Sequence, residues 1–149
     1  MNDLTLVIPA KFESGPLPQV IRELQKYNCK ILVSLQEDDL ETINAIQQFN
    51  IQIHKQSGAG YGNSLIEGIQ NCNTKYFCIF NADGSFDNTD LSLMYKMIKQ
   101  NDFIFTSRYE KNAGSEDDTL VTFIGNKVFS LIGRILFSLK ISDILFTYI

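Results

Sequence analysis

The stretch Phe77-Cys78-Ile79-Phe80-Asn81-Ala82-Asp83-Gly84-Ser85-Phe86-Asp87 decides the fold. An apolar run of strand length, Tyr76 to Phe80, ends abruptly in small, polar and acidic residues. Such a run reads as a buried strand, and Asn81-Ala82-Asp83-Gly84 as the turn at its carboxyl end. In open α/β sheets ligands bind outside the carboxyl ends of the strands. A carboxylate there, beside a backbone loosened by glycine, suits a divalent cation that carries a diphosphate. On this segment alone, Asp83 and Gly84 as a plain turn is the alternative reading.

Working outward, the same strand-then-helix alternation fills most of the chain. Leu4-Thr5-Leu6-Val7-Ile8 is an apolar run stopped by Pro9, which predicts a first buried strand. Leu17, Val20, Ile21 and Leu24 then repeat at helical spacing from near Pro16. Ile31-Leu32-Val33 predicts a second strand, Asp38 to Phe49 a second helix, and Ile51-Gln52-Ile53 a short third strand. The glycine-rich Ser57-Gly58-Ala59-Gly60-Tyr61-Gly62 precedes a helix through Leu65, Ile66 and Ile69. Leu91, Met94, Tyr95 and Ile98 give a fourth helix, with Asn88 or Thr89 as its cap, and Asp102 to Thr106 a fifth strand. This alternation predicts an α/β protein with a mainly parallel sheet covered on both faces. No composition shift marks a domain boundary, so 1–149 is expected to be a single domain.

The last third differs. Glu110 to Asp118 is polar and reads as a loop, and Asp117-Asp118-Thr119 as a helix N-terminus. Leu120 to Leu139 is helical in pattern but apolar almost all round. Such a helix packs against a sheet or a partner subunit, or lies in a membrane interface, where Lys127, Arg134 and Lys140 would face lipid phosphates.

Composition narrows the function. The chain has 149 residues, 44% hydrophobic and 20% charged, enough for one ordinary globular core. Its net charge of −4 argues against a nucleic-acid partner. Cys29, Cys72 and Cys78 form no CxxC pair and fit a reduced, cytoplasmic setting. No signal-peptide pattern opens the chain, and no uncharged run long enough to span a membrane is expected. His54 is the only histidine, so it is read as a structural residue ending the third strand.

In order and spacing, Val7-Ile8-Pro9-Ala10-Lys11-Phe12-Glu13, Gly58 to Ile69, Asn81 to Asp87 and Thr106-Ser107-Arg108-Tyr109 form one set. The chain thereby resembles the inverting family 2 glycosyltransferases of GT-A fold, most of all the branch of dolichol- or polyprenyl-phosphate sugar transferases. The resemblance covers essentially the whole sequence. It implies a Rossmann-like three-layer sandwich that moves a sugar from a UDP- or GDP-sugar to an acceptor such as a polyprenyl phosphate.

The resemblance also implies roles. Pro9 and Glu13 would seat the base and ribose, with Gly58 and Gly60 beside the nucleotide. Asn81 and Asp83 stand at the Asp-x-Asp motif that touches the ribose and binds Mg²⁺ or Mn²⁺, with Ser85 a further polar contact to the metal site. Asn81 replaces the first acid by a neutral oxygen, which implies weaker metal affinity. Arg108 would bind the acceptor phosphate, with a solvated surface arginine as the alternative. Asp143 of the Ser142-Asp143 pair would act as base or positioning residue near the acceptor, with helix capping as the alternative. Val33 to Asp39 lacks the Asp-Asp-Gly-Ser segment with which relatives read the base, and relatives continue beyond the Ser-Asp pair. The chain is therefore expected to lack a carboxyl-terminal part, and to sit at the inner face of a membrane or in a homo-oligomer through 120–149. A non-catalytic nucleotide-binding or interaction module on the same fold is the rival reading. A nucleotidyltransferase fits less well, because no basic, glycine-rich phosphate loop follows the first strand.

Overall fold

Strand β1 (Leu4–Pro9) is buried at all six positions. A strand buried at successive residues is covered on both faces, because side chains alternate from one face to the other. It lies centrally in a four-stranded sheet with β2 (Lys30–Leu35), β3 (Gln52–Lys55) and β4 (Tyr76–Ile79), in the order β3-β2-β1-β4. All pairings are parallel, in a register that sets Val7 opposite Leu32 and Ile79, and Ser34 opposite His54. The structure, a computed structural model, describes residues 1–110 and 119–149. Asp117 and Asp118 of the acidic cluster, and most of the loop expected there, lie outside the described residues. The described chain falls into two compact units, Met1–Asp102 and Phe103–Ile149.

In the first unit the helices follow the expected pattern. Helix α1 (Leu17–Leu24) buries Leu17, Val20, Ile21 and Leu24, the positions picked out by periodicity. Helix α2 (Leu40–Ile46) is shorter than the expected Asp38–Phe49, because Asp39 caps it by accepting from the Thr42 N–H. Helix α3 (Tyr61–Gln70) packs on β1 and β2 through Gly68. A Cβ on Gly68 would lie 2.6 Å from Val7 Cγ1, so only glycine allows this close approach. Helix α4 (Leu91–Met97) buries Leu91 and Met94. The preceding 3₁₀ turn, Asn88–Asp90, is capped by Asp87 rather than by Asn88 or Thr89, since Asp87 accepts from the Thr89 N–H and hydroxyl.

One expectation fails where the first unit gives way to the second. Asp102–Thr106 forms no strand: Phe103 and Phe105 are exposed and stack on each other at 6.1 Å between ring centroids. Strand propensity needs a partner ladder, and the contact found here is local, from the Thr106 N–H and hydroxyl to the Tyr148 carbonyl at 3.3 and 2.7 Å. Helix α5 (Leu120–Phe137) forms as predicted, with Thr119 accepting from the Thr122 N–H and Ser138 ending it at a φ of 55°. Its apolar stripe is left exposed, as a helix covered by a partner or a membrane interface would have it when alone. The residues it buries are Asn126, Ser130 and Gly133, while Ile124, Val128, Leu131, Ile132 and Ile135 are exposed. By length and composition alone α5 would also cross a membrane, with a mean hydropathy of 1.5 over 18 residues. The expectation that nothing spans a membrane rested on uncharged runs, and α5 is not one, since Lys127 and Arg134 lie within it.

Candidate functional site

The sheet order reverses at β1: the chain builds β2 and β3 on one side and returns to place β4 on the other. In doubly wound sheets the crevice at such a switch point is where ligands bind. A cleft of about 360 Å³ opens there, at the carboxyl ends of the strands. Pro9 ends β1 and Glu13 follows it, Gln36 follows β2, Gln56 follows β3, and Asn81 and Asp83 follow β4; all line the cleft. Gly60 and Tyr61, where α3 begins, complete one wall. Residues 74 positions apart in sequence are thus gathered by the parallel topology, since each strand delivers its last residues to the same edge.

The loop after β1 is held from beneath. Ala10 donates its N–H to the Ser34 carbonyl at 3.0 Å. The Phe12 N–H reaches Asp39 Oδ2 at 2.7 Å, and the Glu13 N–H reaches Thr42 Oγ1 at 3.0 Å. Asp39 is only 3% exposed and caps α2 with its other oxygen, so one carboxylate fixes both the helix and the loop. Phe12 accordingly takes a left-handed φ of 59°, uncommon for a bulky residue. Glu13 is presented half-buried into the cleft. Burial first, and then the nearby Asp83 and Asp39 carboxylates, raise its carboxyl above the ordinary range.

The loop after β4 is a tight, self-bonded turn. Buried Phe80 and Phe86 meet edge to face at 5.6 Å and anchor its two ends. Between them Asp83 Oδ1 accepts the Ser85 N–H at 2.9 Å, and Asn81 Nδ2 lies 3.0 Å from Ser85 Oγ. Gly84 sits at a φ of +81°, a conformation that favours glycine. The exposed Asp83 carboxylate therefore stands at the cleft wall beside an amide and a hydroxyl. Among the described residues no group of three or more His, Cys, Asp or Glu side chains is placed to hold a metal. The oxygen-only donor set of Asp83, Asn81 and Ser85 nonetheless fits a hard cation such as Mg²⁺ or Mn²⁺, which commonly takes one or two carboxylates and completes its shell with phosphates and water.

The glycine-rich loop divides. Gly60 lines the cleft at a φ of +96°. Gly58 does not line it, and its N–H points instead to Glu67 Oε1 at 3.3 Å. His54, on β3, pairs with the same carboxylate at 2.7 Å, which is the structural role expected of it.

The other two predicted residues lie in the second unit and face each other. Arg108 Nε donates to Asp143 Oδ2 at 2.8 Å and Nη2 to Oδ1 at 3.0 Å, a bidentate pair, and the Arg108 N–H adds a third bond at 3.3 Å. Asp143 is 1% exposed. The guanidinium also lies over the Phe146 ring at 5.0 Å, and Ser142 bonds Ser107 at 2.9 Å.

Sequence reasoning missed Asp39 and Glu67. Asp39 carried a signal, since an Asp three residues before Thr42 at a helix start is a capping pattern. Glu67 carried only a weak one, its i, i+4 spacing from Asn63 on α3, because its other partners come from a loop and a neighbouring strand.

The family model described as "Glycosyl transferase family 2" matches residues 5–148. No curated protein matches the chain.

Proposed function

The chain belongs to glycosyl transferase family 2, and on that premise we propose that its cleft binds a UDP- or GDP-sugar and that the sugar passes, with inversion, to a lipid-linked acceptor such as a polyprenyl phosphate. The observation that carries this reading is the convergence of Pro9, Glu13, Gly60, Asn81 and Asp83 on one cleft at the switch point. Glu13 accepts hydrogen bonds from base N–H or ribose hydroxyl groups. Asp83, with the amide oxygen of Asn81 and the hydroxyl of Ser85, would hold Mg²⁺ or Mn²⁺. That cation, when bound, supplies positive charge to the nucleoside diphosphate leaving group. One carboxylate in place of two gives this chain a weaker hold on the metal than a paired motif would have.

On the acceptor side, Arg108 recognises the phosphate and Asp143 is its positioning residue. Both Asp143 oxygens accept from Arg108, which fixes the plane of the guanidinium. A phosphate acceptor is already an anion and needs no base to take a proton before it attacks, so this role for Asp143 is chemically sufficient. The outward apolar face of α5, flanked by Lys127 and Arg134 with Lys140 just beyond, supports a position at the cytoplasmic membrane surface. Co-sedimentation with phosphatidylglycerol vesicles, lost in Ile124→Glu/Ile135→Glu, is the expected outcome; equal recovery with and without vesicles would argue for a subunit interface there.

Calorimetric titration with UDP and GDP, with and without Mn²⁺, tests the donor site. Metal-dependent binding of one nucleotide, weakened at least about tenfold by Asp83→Ala, is expected. Binding untouched by Asp83→Ala would remove the metal role, and no binding of either nucleotide would remove the donor reading.

A further inference from the structure

The carboxylate of Glu67, on α3, gathers five donors. The Ser57 N–H lies 2.9 Å from Oε2 and 3.0 Å from Oε1, and the Ser57 hydroxyl 2.6 Å from Oε1. The Gly58 N–H is at 3.3 Å, Asn63 Nδ2 at 2.6 Å, and His54 Nε2 at 2.7 Å. Two successive backbone N–H groups joined by side-chain donors form the kind of concavity that usually holds a bound anion. Here the anion is the protein's own side chain. These hydrogen bonds, from Ser57 first and then His54, hold the Glu67 carboxyl far below the ordinary range, so it is ionised wherever the protein is folded at neutral pH.

The gathered segment adjoins the cleft. Gln56 and Gly60, on either side of residues 57–59, both line it. Gln56 is tied into the same arrangement, since its Nε2 donates to the Gly58 carbonyl at 2.8 Å. Glu67 itself does not line the cleft. It grips the loop from behind, two turns into a helix that Gly68 locks against β1.

We infer that Glu67 is a positioning residue for nucleotide binding: its carboxylate fills the anion nest of the glycine-rich loop and so presets Gln56 and Gly60 at the cleft wall. A second consequence follows. The N–H groups of Ser57 and Gly58 are committed to Glu67 and are withheld from the diphosphate, which must find its partners on the Asp83 side of the cleft. The effect is preorganisation, in which the ordering of the loop is complete before the ligand arrives.

This inference rests on the nucleotide reading above, and the experiment separates the two. Wild type, Glu67→Gln and Ser57→Ala are titrated with UDP and GDP in the presence of Mn²⁺, alongside amide hydrogen exchange at residues 57–58 and donor kinetics. Glu67→Gln is expected to weaken nucleotide affinity about tenfold, to raise KM for the donor with kcat little changed, and to speed exchange at 57–58. Ser57→Ala, which removes one donor and leaves α3 intact, is expected to weaken affinity about threefold, so the inference stays testable should Glu67→Gln misfold. Wild-type binding that both variants retain in full would overturn the positioning role alone. So would an equal fall of kcat, or accelerated exchange over the whole sheet, because these mark a general structural loss. Absence of binding by the wild type would overturn the nucleotide reading and this inference with it.

Discussion

The two units solve the burial problem in opposite ways. Met1–Asp102 is apolar inside: Leu6, Val7, Ile8, Leu17, Ile21 and Leu32 are each at most 1% exposed. Phe103–Ile149 buries Asn126, Ser130 and Asp143 beside Gly133 and Tyr148, and turns the aliphatic stripe of α5 outward. In the first unit, burial of apolar area drives the fold and the polar groups are left to shape the cleft. Among the described residues the second is held by contacts such as the ion pair of Arg108 with Asp143, the hydrogen bond from Asn126 to Tyr109 at 2.7 Å, and that from the Ile144 N–H to Ser130 Oγ at 3.2 Å. A unit of that kind draws little stability from water's exclusion of its best apolar surface. That surface lies open on α5, and this exposure is the observation behind the proposal that α5 meets a bilayer.

The contrast breaks most directly at Asp143. Asp143→Ala leaves Arg108 without its carboxylate, and removing one partner of a buried pair typically costs about 3–5 kcal/mol. Hydrogen exchange should show that loss in 103–149, with the sheet amides of the first unit unaffected. Uniform exchange loss in both units would mean that they do not unfold separately. Next in size, Leu6→Ala in β1 should cost about 3 kcal/mol in urea denaturation, through lost burial and the cavity left behind. Ile135→Ser, at a position 70% exposed, should change stability by less than about 0.5 kcal/mol in lipid-free buffer. Comparable costs for the two would show that α5 is covered in solution and would erase the contrast.

The smallest expected effects are pH-dependent and lie within the first unit. The Glu67 carboxyl titrates lower in the folded than in the unfolded state, so its contribution is fully present above about pH 5 and drains away as pH falls. His54 is the titratable group facing it. Glu67→Gln should therefore flatten the acid side of the Tm-against-pH curve. Glu13 has the opposite sign. Its carboxyl is raised, so the folded state favours the proton, and stability is lost as pH rises through that raised value. Glu13→Gln should leave Tm at pH 7 unchanged or slightly higher while weakening nucleotide binding. A fall in both would count against the cleft as a site that holds electrostatic strain for function.

Much of the first unit was legible because its signals are local. Apolar runs ending at Pro9 and Asn81, and the i, i+3, i+4 spacing of Leu17 to Leu24, each report on a few consecutive residues. Parallel topology then follows from alternation, and with it the meeting of Pro9, Glu13, Asn81 and Asp83 at one sheet edge. The sequence also determined that 120–137 is a helix. It did not determine which way that helix faces, because a stripe apolar on most sides looks the same whether it meets a core, a partner or lipid. Tertiary structure decided that, by burying Asn126, Ser130 and Gly133 instead. It likewise denied Phe103–Thr106 a strand partner, joined Arg108 to Asp143 across 35 residues, and gave Asp39 and Glu67 their loops to hold. Each of these depends on where a distant group ends up, and a side chain's hydrogen-bonding capacity says what it needs without saying which group will supply it.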